Sequence, residues 1–357
     1  MTLRKRSHFC PHPPRRFSEI ASRFVGRGSV GPWMPSSSVE LCRTVVEGAG
    51  PVLHSPIAVH ARIVIFFGGL GTTKEKFARS GRRTDFESAN AAVIYADHYN
   101  EGERRDASLE PVSNRSGWSK CQKNMFWRAI QRTAEGVPLL VDFALRTYGA
   151  DAQVYGYGAS MGGDILLTSL MYEKRLTAIV LERATPDWLR PSSVENMLGE
   201  HAEGDELYER CCPCRKLEEF VKHPTAMLFV CGESDRHVPP HSAREFVTAL
   251  RAARREELDG DGHDECLPRV VMLPSGGWCG HILSDPQEAT RLAIDFMFEQ
   301  ATASRPGPQP STVPAAVTTV HEEAAVVAPL DVTDATPAAD VAAASTSMSV
   351  VEEPNTF

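Results

Sequence analysis

The sequence predicts an α/β protein built on a mainly parallel sheet with helices on both faces. Six short apolar, β-branched runs recur through the middle of the chain, with helix-length patterns between most of them. These runs are apolar at nearly every position, as strands buried on both faces are, whereas half-exposed strands alternate. At 357 residues, the chain is long enough for one large α/β domain or two ordinary ones.

The predicted strands are 61–67, 91–97, 152–157, 177–182, 226–231 and 270–273. Between the second and third, Phe126, Ile130, Val137, Val141 and Leu145 recur at helical spacing and predict a single helix over 124–147. A shorter apolar run over 165–171 predicts a helix directly after the third strand, and another helix is expected from about Asp285. No internal repeat interrupts this order.

Charge divides the chain into three parts. Residues 1–35 carry seven Lys or Arg and one acid, whereas 301–357 carry one Arg and seven acids. We therefore expect a basic leader over 1–45, one folded domain over 46–302, and a disordered Ala/Thr/Val/Pro tail over 303–357 whose one aromatic is Phe357. In the leader, Phe17, Ile20, Ala21, Phe24 and Val25 lie at helical spacing among Arg15, Arg16 and Arg23. This reads either as a mitochondrial-type targeting helix or as a basic leader without that role. A secretory signal would need a continuous apolar stretch after the basic start.

The net charge of −8 argues against a nucleic-acid binder, and no apolar run is long enough to span a membrane. Nine irregularly spaced cysteines suit a reducing compartment, with the cytoplasm as the expectation. The local cluster Cys211-Cys212-Pro213-Cys214 lacks a second ligand pair, so a zinc site would need distant ligands. On the sequence alone these are ordinary thiols, and neither a metal nor a cofactor is expected.

The chemistry begins after the third strand, at Gly156-Tyr157-Gly158-Ala159-Ser160-Met161-Gly162-Gly163. This is GxSxG between a strand and a helix, the context in which the serine hydroxyl is exposed on a sharp turn. At the helix start, the Met161 amide points toward an oxyanion formed at Ser160.

A nucleophilic serine needs a base, and the base an orienting acid. Past the fifth strand, Gly232-Glu233-Ser234-Asp235-Arg236-His237-Val238-Pro239 offers Asp235, and past the sixth strand Gly280-His281 offers the base. All three candidates fall at carboxyl ends of strands, where open α/β sheets place their sites. Glu233 and Asp187 are alternative acids, and His237 and His263 alternative bases. The first strand runs into Phe67-Gly68-Gly69-Leu70-Gly71, where the Leu70 amide is the expected second oxyanion donor. No GxxxxGK[ST] pattern supports phosphate binding there.

Taken together, residues 67–75, Asn100-Glu101-Gly102-Glu103-Arg104, Phe126-Trp127, the Gly158–Gly163 turn, Arg183-Ala184-Thr185-Pro186-Asp187, the Gly232–Pro239 loop and Gly280-His281 resemble the YitV-type esterases. Those belong to the prolyl-oligopeptidase and dienelactone-hydrolase branch of the α/β-hydrolases. The resemblance covers about residues 50–300. It implies an α/β-hydrolase fold with a short cap-like insertion over 188–223, and cofactor-free ester hydrolysis by Ser160, Asp235 and His281.

It further implies that Gly68, Gly69, Glu101 and Arg104 lie at the substrate. Two positions depart from the pattern: Gly68 and Glu101 each stand where the group usually carries histidine. Gly68 would either loosen the oxyanion loop or leave room for a bulkier acyl group. The expected substrate is a small-molecule ester or thioester. A peptidase of the same branch and a non-catalytic binding protein on the same scaffold are the alternatives.

Overall fold

The computed structural model describes residues 40–58, 60–80, 82–99, 102–104, 120–194, 206–257 and 267–302. The leader before residue 40, the tail beyond 302, Glu101 and His263 lie outside them. Contacts divide the chain into Met1–Glu40 and Leu41–Phe357, and the sheet belongs to the second unit.

The chain enters through a hairpin of β1 (Cys42–Val46) and β2 (Gly50–His54), followed by β3 (Arg62–Phe67). Two short helices, α1 (Lys74–Ala78) and α2 (Arg82–Ser88), lead to β4 (Ala92–Ala96). Then come α3 (Lys120–Glu135), α4 (Val137–Tyr148), β5 (Gln153–Ala159), α5 (Met161–Ser169) and β6 (Leu176–Glu182). Next are α6 (Glu206–Cys211), α7 (Leu217–Val221), β7 (Ala226–Gly232) and α8 (His241–Glu257). The series closes with β8 (Arg269–Leu273), the two-residue strands β9 (Ser275–Gly276) and β10 (Ile282–Leu283), and α9 (Pro286–Thr302).

The large sheet has the order β1-β2-β4-β3-β5-β6-β7-β8. From β4 to β8 every pair is parallel, and the hairpin adds an antiparallel edge through β2 on β4. Strand alternation divides the core in two. Ile63, Ile65 and Phe67 of β3 face α3, α4, α5 and α8, whereas Val64 and Phe66 face α1, α2 and α9. Both faces are therefore covered, which is why the strands read as continuous apolar runs.

The six strands read from sequence are β3 to β8. The β1–β2 hairpin was not predicted: its residues are half-exposed, and Arg43, Thr44 and Pro51 interrupt any apolar run. Its first strand starts inside the stretch 1–45 expected as the leader. The single helix predicted over 124–147 is two helices. Gly136 ends the first, and Pro138 in the opening turn of α4 has no N–H to continue the ladder. The apolar spacing runs through this break because both helices bury the same side against the sheet. Among the described residues, no helix is long and apolar enough to cross a membrane.

The edge hairpin makes the N-terminal boundary testable. A chain of residues 41–302 should keep the melting temperature of the full chain. One starting at residue 50 loses the strand that covers β2, a loss of about 2 kcal/mol that lowers the melting temperature by roughly 4–8 °C. Equal melting temperatures for the two truncations in a thermal scan would show that β1 adds nothing to the sheet.

Candidate active site

Ser160 lies between β5 and α5 with φ 53° and ψ −123°, a conformation that L-residues avoid at a cost of about 1–3 kcal/mol. The neighbouring backbone holds it there. The Ser160 amide donates to the Glu182 carbonyl at 2.7 Å, and its own carbonyl accepts from the Gly163 amide at 2.8 Å. A Cβ on Gly162 would lie 2.2 Å from the Phe67 carbonyl oxygen. Only glycine lets α5 start this close to β3.

The other two predicted groups meet this serine. His281 Nε2 is 3.1 Å from Ser160 Oγ, and His281 Nδ1 is 2.7 Å from Asp235 Oδ2. The second oxygen of Asp235 accepts the His237 and Val238 amides at 2.9 and 2.8 Å. Its carboxylate is thus fixed by backbone on one side and presented to the imidazole on the other. The Asp235 side chain is 1% exposed and that of His281 13% exposed, so the acid is sealed while the base reaches the surface.

His281 sits on a tight loop between β9 and β10, which pair antiparallel. The residue before it, Gly280, has φ 75°, and a Cβ there would fall 1.9 Å from the Ser234 carbonyl oxygen. In addition, the Arg236 amide donates to the Cys279 carbonyl at 2.7 Å. These contacts lock the Asp235 loop and the His281 loop together, so acid and base move as one piece.

A buried ion cluster supports the same loop. Glu182, at the end of β6, takes a bidentate Arg82 at 2.6 and 3.1 Å, Arg183 at 2.7 Å and the Tyr157 hydroxyl. Burial raises the Glu182 carboxyl, but Arg82 and then Arg183 more than reverse this and bring it down to about 2. Arg183 uses its other amino group to donate to the His281 carbonyl at 2.5 Å.

The loop after β3 approaches the serine from the other side. A Cβ on Gly69 would stand 3.3 Å from Ser160 Cβ, so this loop passes directly over the hydroxyl with the half-buried Leu70 next in line. Met161 opens α5, where the first helical amides have no intrahelical acceptor. Two residues beyond β4 clamp the loop. His98 Nε2 donates to the Gly69 carbonyl at 3.1 Å. Asp97 takes the Lys74 amide at 2.7 Å and the Lys74 ammonium at 2.9 Å, and both of these side chains are fully buried. Burial pulls the Lys74 ammonium down, yet Asp97 and Glu75 outweigh it and hold it above its usual value.

The remaining predicted residues fall elsewhere. A Cβ on Gly68 would meet Thr72 at 2.9–3.1 Å, so a side chain there presses on its own loop. Arg104 donates to the Asp97 carbonyl at 3.1 Å and lies over Gly50. Its described contacts brace the clamp and include no member of the Ser160, Asp235 and His281 set. Of the alternative acids, Glu233 is exposed, and Asp187 bonds Tyr208 and the Leu189 amide. His237 packs edge-on against His281 at 4.6 Å and receives Arg190 at 3.2 Å. Arg190 in turn pairs with buried Asp164 at 3.0 Å. Sequence reasoning missed His98 and Asp97, which lie in no local motif, and the roles of Lys74 and Arg183, whose motifs do not show their buried partners.

Residues 139–260 match the prolyl oligopeptidase family, Peptidase_S9. No curated protein sequence matches the chain significantly. Among solved structures, TT1662 of Thermus thermophilus is 16% identical with a TM-score of 0.56, covering 74% of this chain and 100% of its own. The acylaminoacyl peptidase of Pyrococcus horikoshii is 13% identical with a TM-score of 0.51, covering 73% of this chain and 40% of its own. A puromycin-hydrolyzing peptidase of Mycobacterium tuberculosis is 16% identical with a TM-score of 0.50, covering 73% of this chain and 39% of its own. The chain thus spans the Thermus protein and less than half of each peptidase. The fold is that of the α/β-hydrolases.

Two outcomes follow from the supports around the site. His98→Gln should lower kcat by roughly 10-fold while leaving KM within about twofold, because it frees the Gly69 carbonyl and with it the loop that the sequence predicts to hold the oxyanion. A change confined to KM in steady-state kinetics would contradict this. Glu182 has a lowered carboxyl in the fold, so its stabilisation is complete above its ordinary 4.5 and is lost as pH falls toward about 2. The loss amounts to about 3 kcal/mol. In urea denaturation, the stability gap between the native protein and Glu182→Gln should therefore shrink from pH 5 to pH 2, and a gap independent of pH would refute it.

Proposed function

We propose that the protein is a serine hydrolase that cleaves a carboxylic ester or thioester through an acyl-enzyme. The observation that carries this reading is the unbroken line of hydrogen bonds from Ser160 through His281 to Asp235, set on a strained turn beside a clamped glycine loop.

In this reading His281 is neutral at rest, with its Nδ1 proton donated to Asp235 and its Nε2 lone pair facing the serine hydroxyl. Ser160 Oγ attacks the acyl carbon while its proton passes to Nε2. The carbonyl oxygen becomes an oxyanion held by the Leu70 and Met161 amides. The C–O or C–S bond then breaks, and the same proton goes to the leaving group. Water repeats the steps on the acyl-serine, giving up its proton to Nε2, and releases the acid with Ser160 restored. Asp235 stays ionised throughout and holds the imidazole in the productive tautomer.

Peptide hydrolysis is the second reading, favoured by the family match over 139–260 and by the acylaminoacyl peptidase among the structural neighbours. The fold does not decide between them, because a site on this scaffold serves several leaving groups. Turnover of p-nitrophenyl esters of increasing chain length, set against acylaminoacyl p-nitroanilides, separates the two. Ester turnover with inert anilides supports the first reading, and the reverse supports the second.

Substitution tests the assigned roles directly. Ser160→Ala and His281→Ala should each lower kcat by about 10⁴-fold or more, and the double variant should be hardly worse, because the groups act as a unit. Asp235→Asn should cost far more than Asp187→Asn or Glu233→Gln. Additive losses in the double variant, or equal effects of the three acid substitutions, would overturn the assignment.

A further inference from the structure

The cysteine cluster that lacks ligands in the sequence acquires one in the fold. The loop after β6 brings Asp187 against the turn that follows α6. There the Asp187 carboxylate and the sulfurs of Cys212 and Cys214 lie within 4.8 Å of one another. The two sulfurs are 3.5 Å apart. Two thiolates bound to a tetrahedral zinc at about 2.3 Å stand roughly 3.7 Å from each other, so the pair is already at chelating distance.

We infer that Asp187, Cys212 and Cys214 form a binding site for a thiophilic divalent cation of the zinc type, with the fourth position open to water. Two sulfurs exclude a magnesium or calcium preference, and the carboxylate favours zinc over copper(I), which selects sulfur alone. Cys212 is buried whereas Asp187 and Cys214 are half-buried, which leaves a side for the ion and its water to enter.

The surroundings are those of a supported ligand set. The Trp188 amide donates to Cys212 Sγ at 3.3 Å, a bond that suits a thiolate. The Tyr208 hydroxyl lies 3.0 Å from Asp187 Oδ1 and 3.4 Å from Cys214 Sγ, where it fixes the carboxylate. The Cys214 amide donates to the Pro186 carbonyl at 2.9 Å, so the two ligand-bearing segments are already joined through backbone. The Cys212 thiol donates its proton to the Pro186 carbonyl at 3.3 Å. A cation takes the place of that proton.

The ion would tie Asp187, just before the cap-like excursion over 188–223, to Cys212 and Cys214 within it. It would also fix the loop that carries Arg190 to His237, behind the catalytic imidazole. The role is that of a brace, and no step of ester cleavage passes through it. Binding exchanges thiol protons for the cation, so uptake must release acid.

Cobalt(II), added to the full chain reduced with a phosphine, is the probe. We expect one equivalent bound with thiolate-to-cobalt charge-transfer absorption, displaced by zinc and accompanied by proton release. Cys214→Ser should weaken binding at least 100-fold. Asp187→Asn, which keeps both thiols, should weaken it by about 10–100-fold. Metal-free melting curves of both variants should match the native protein, which separates ligand loss from misfolding. Reduced protein that takes up no cobalt overturns the site. So does uptake without the charge-transfer band, or uptake undiminished in the Cys212→Ser/Cys214→Ser double variant.

Discussion

The contact between Gly162 and the Phe67 carbonyl is the constraint on which the rest of the site depends. It brings the start of α5 against the end of β3, and this sets Ser160 on a left-handed turn with its hydroxyl outward. The same proximity lays the Gly68–Leu70 loop over the serine, so the proposed nucleophile and the proposed oxyanion loop come from a single packing decision. Any side chain at Gly162 would separate them.

Everything else in the site holds groups to that turn. On one side, the Asp235 and His281 loops are locked through Gly280 and through the Arg236 to Cys279 bond. Arg183 ties the His281 backbone to buried Glu182, next to the strand that leads to Ser160. On the other side, Asp97 and His98 grip the loop after β3 at both ends. The buried charges of these two clusters are paired, as burial requires: removing Lys74 would leave the Asp97 carboxylate buried without its ion-pair partner, at a cost of about 3–5 kcal/mol. Such pairing gives rigidity more than net stability, and rigidity is what an oxyanion site needs.

How much of this was legible in the sequence follows from where each signal lies. Ser160 was legible because strand, turn and helix are consecutive, and Asp235 and His281 because each follows an apolar strand run. The clamp was not, because it depends on sheet order: β4 lies beside β3, so His98 beyond one strand meets Gly69 beyond the other. The Gly68 departure pointed either to a looser loop or to extra acyl space, and the contact a Cβ there would make with Thr72 is a fact of the folded loop that the sequence does not carry. The β1–β2 hairpin and the break at Gly136 escaped because half-exposed strands and a helix pair sharing one apolar side leave ambiguous spacing. Asp187 joined Cys212 and Cys214 only once β6 had placed it.

The central claim is that Ser160 is an activated nucleophile. Treatment of the intact protein with a fluorophosphonate, followed by peptide mass spectrometry, tests it most directly. We expect one adduct per chain on Ser160, lost on prior unfolding in urea and absent in His281→Ala. An unlabelled native protein, or an adduct on another residue that persists after Ser160→Ala, would contradict it.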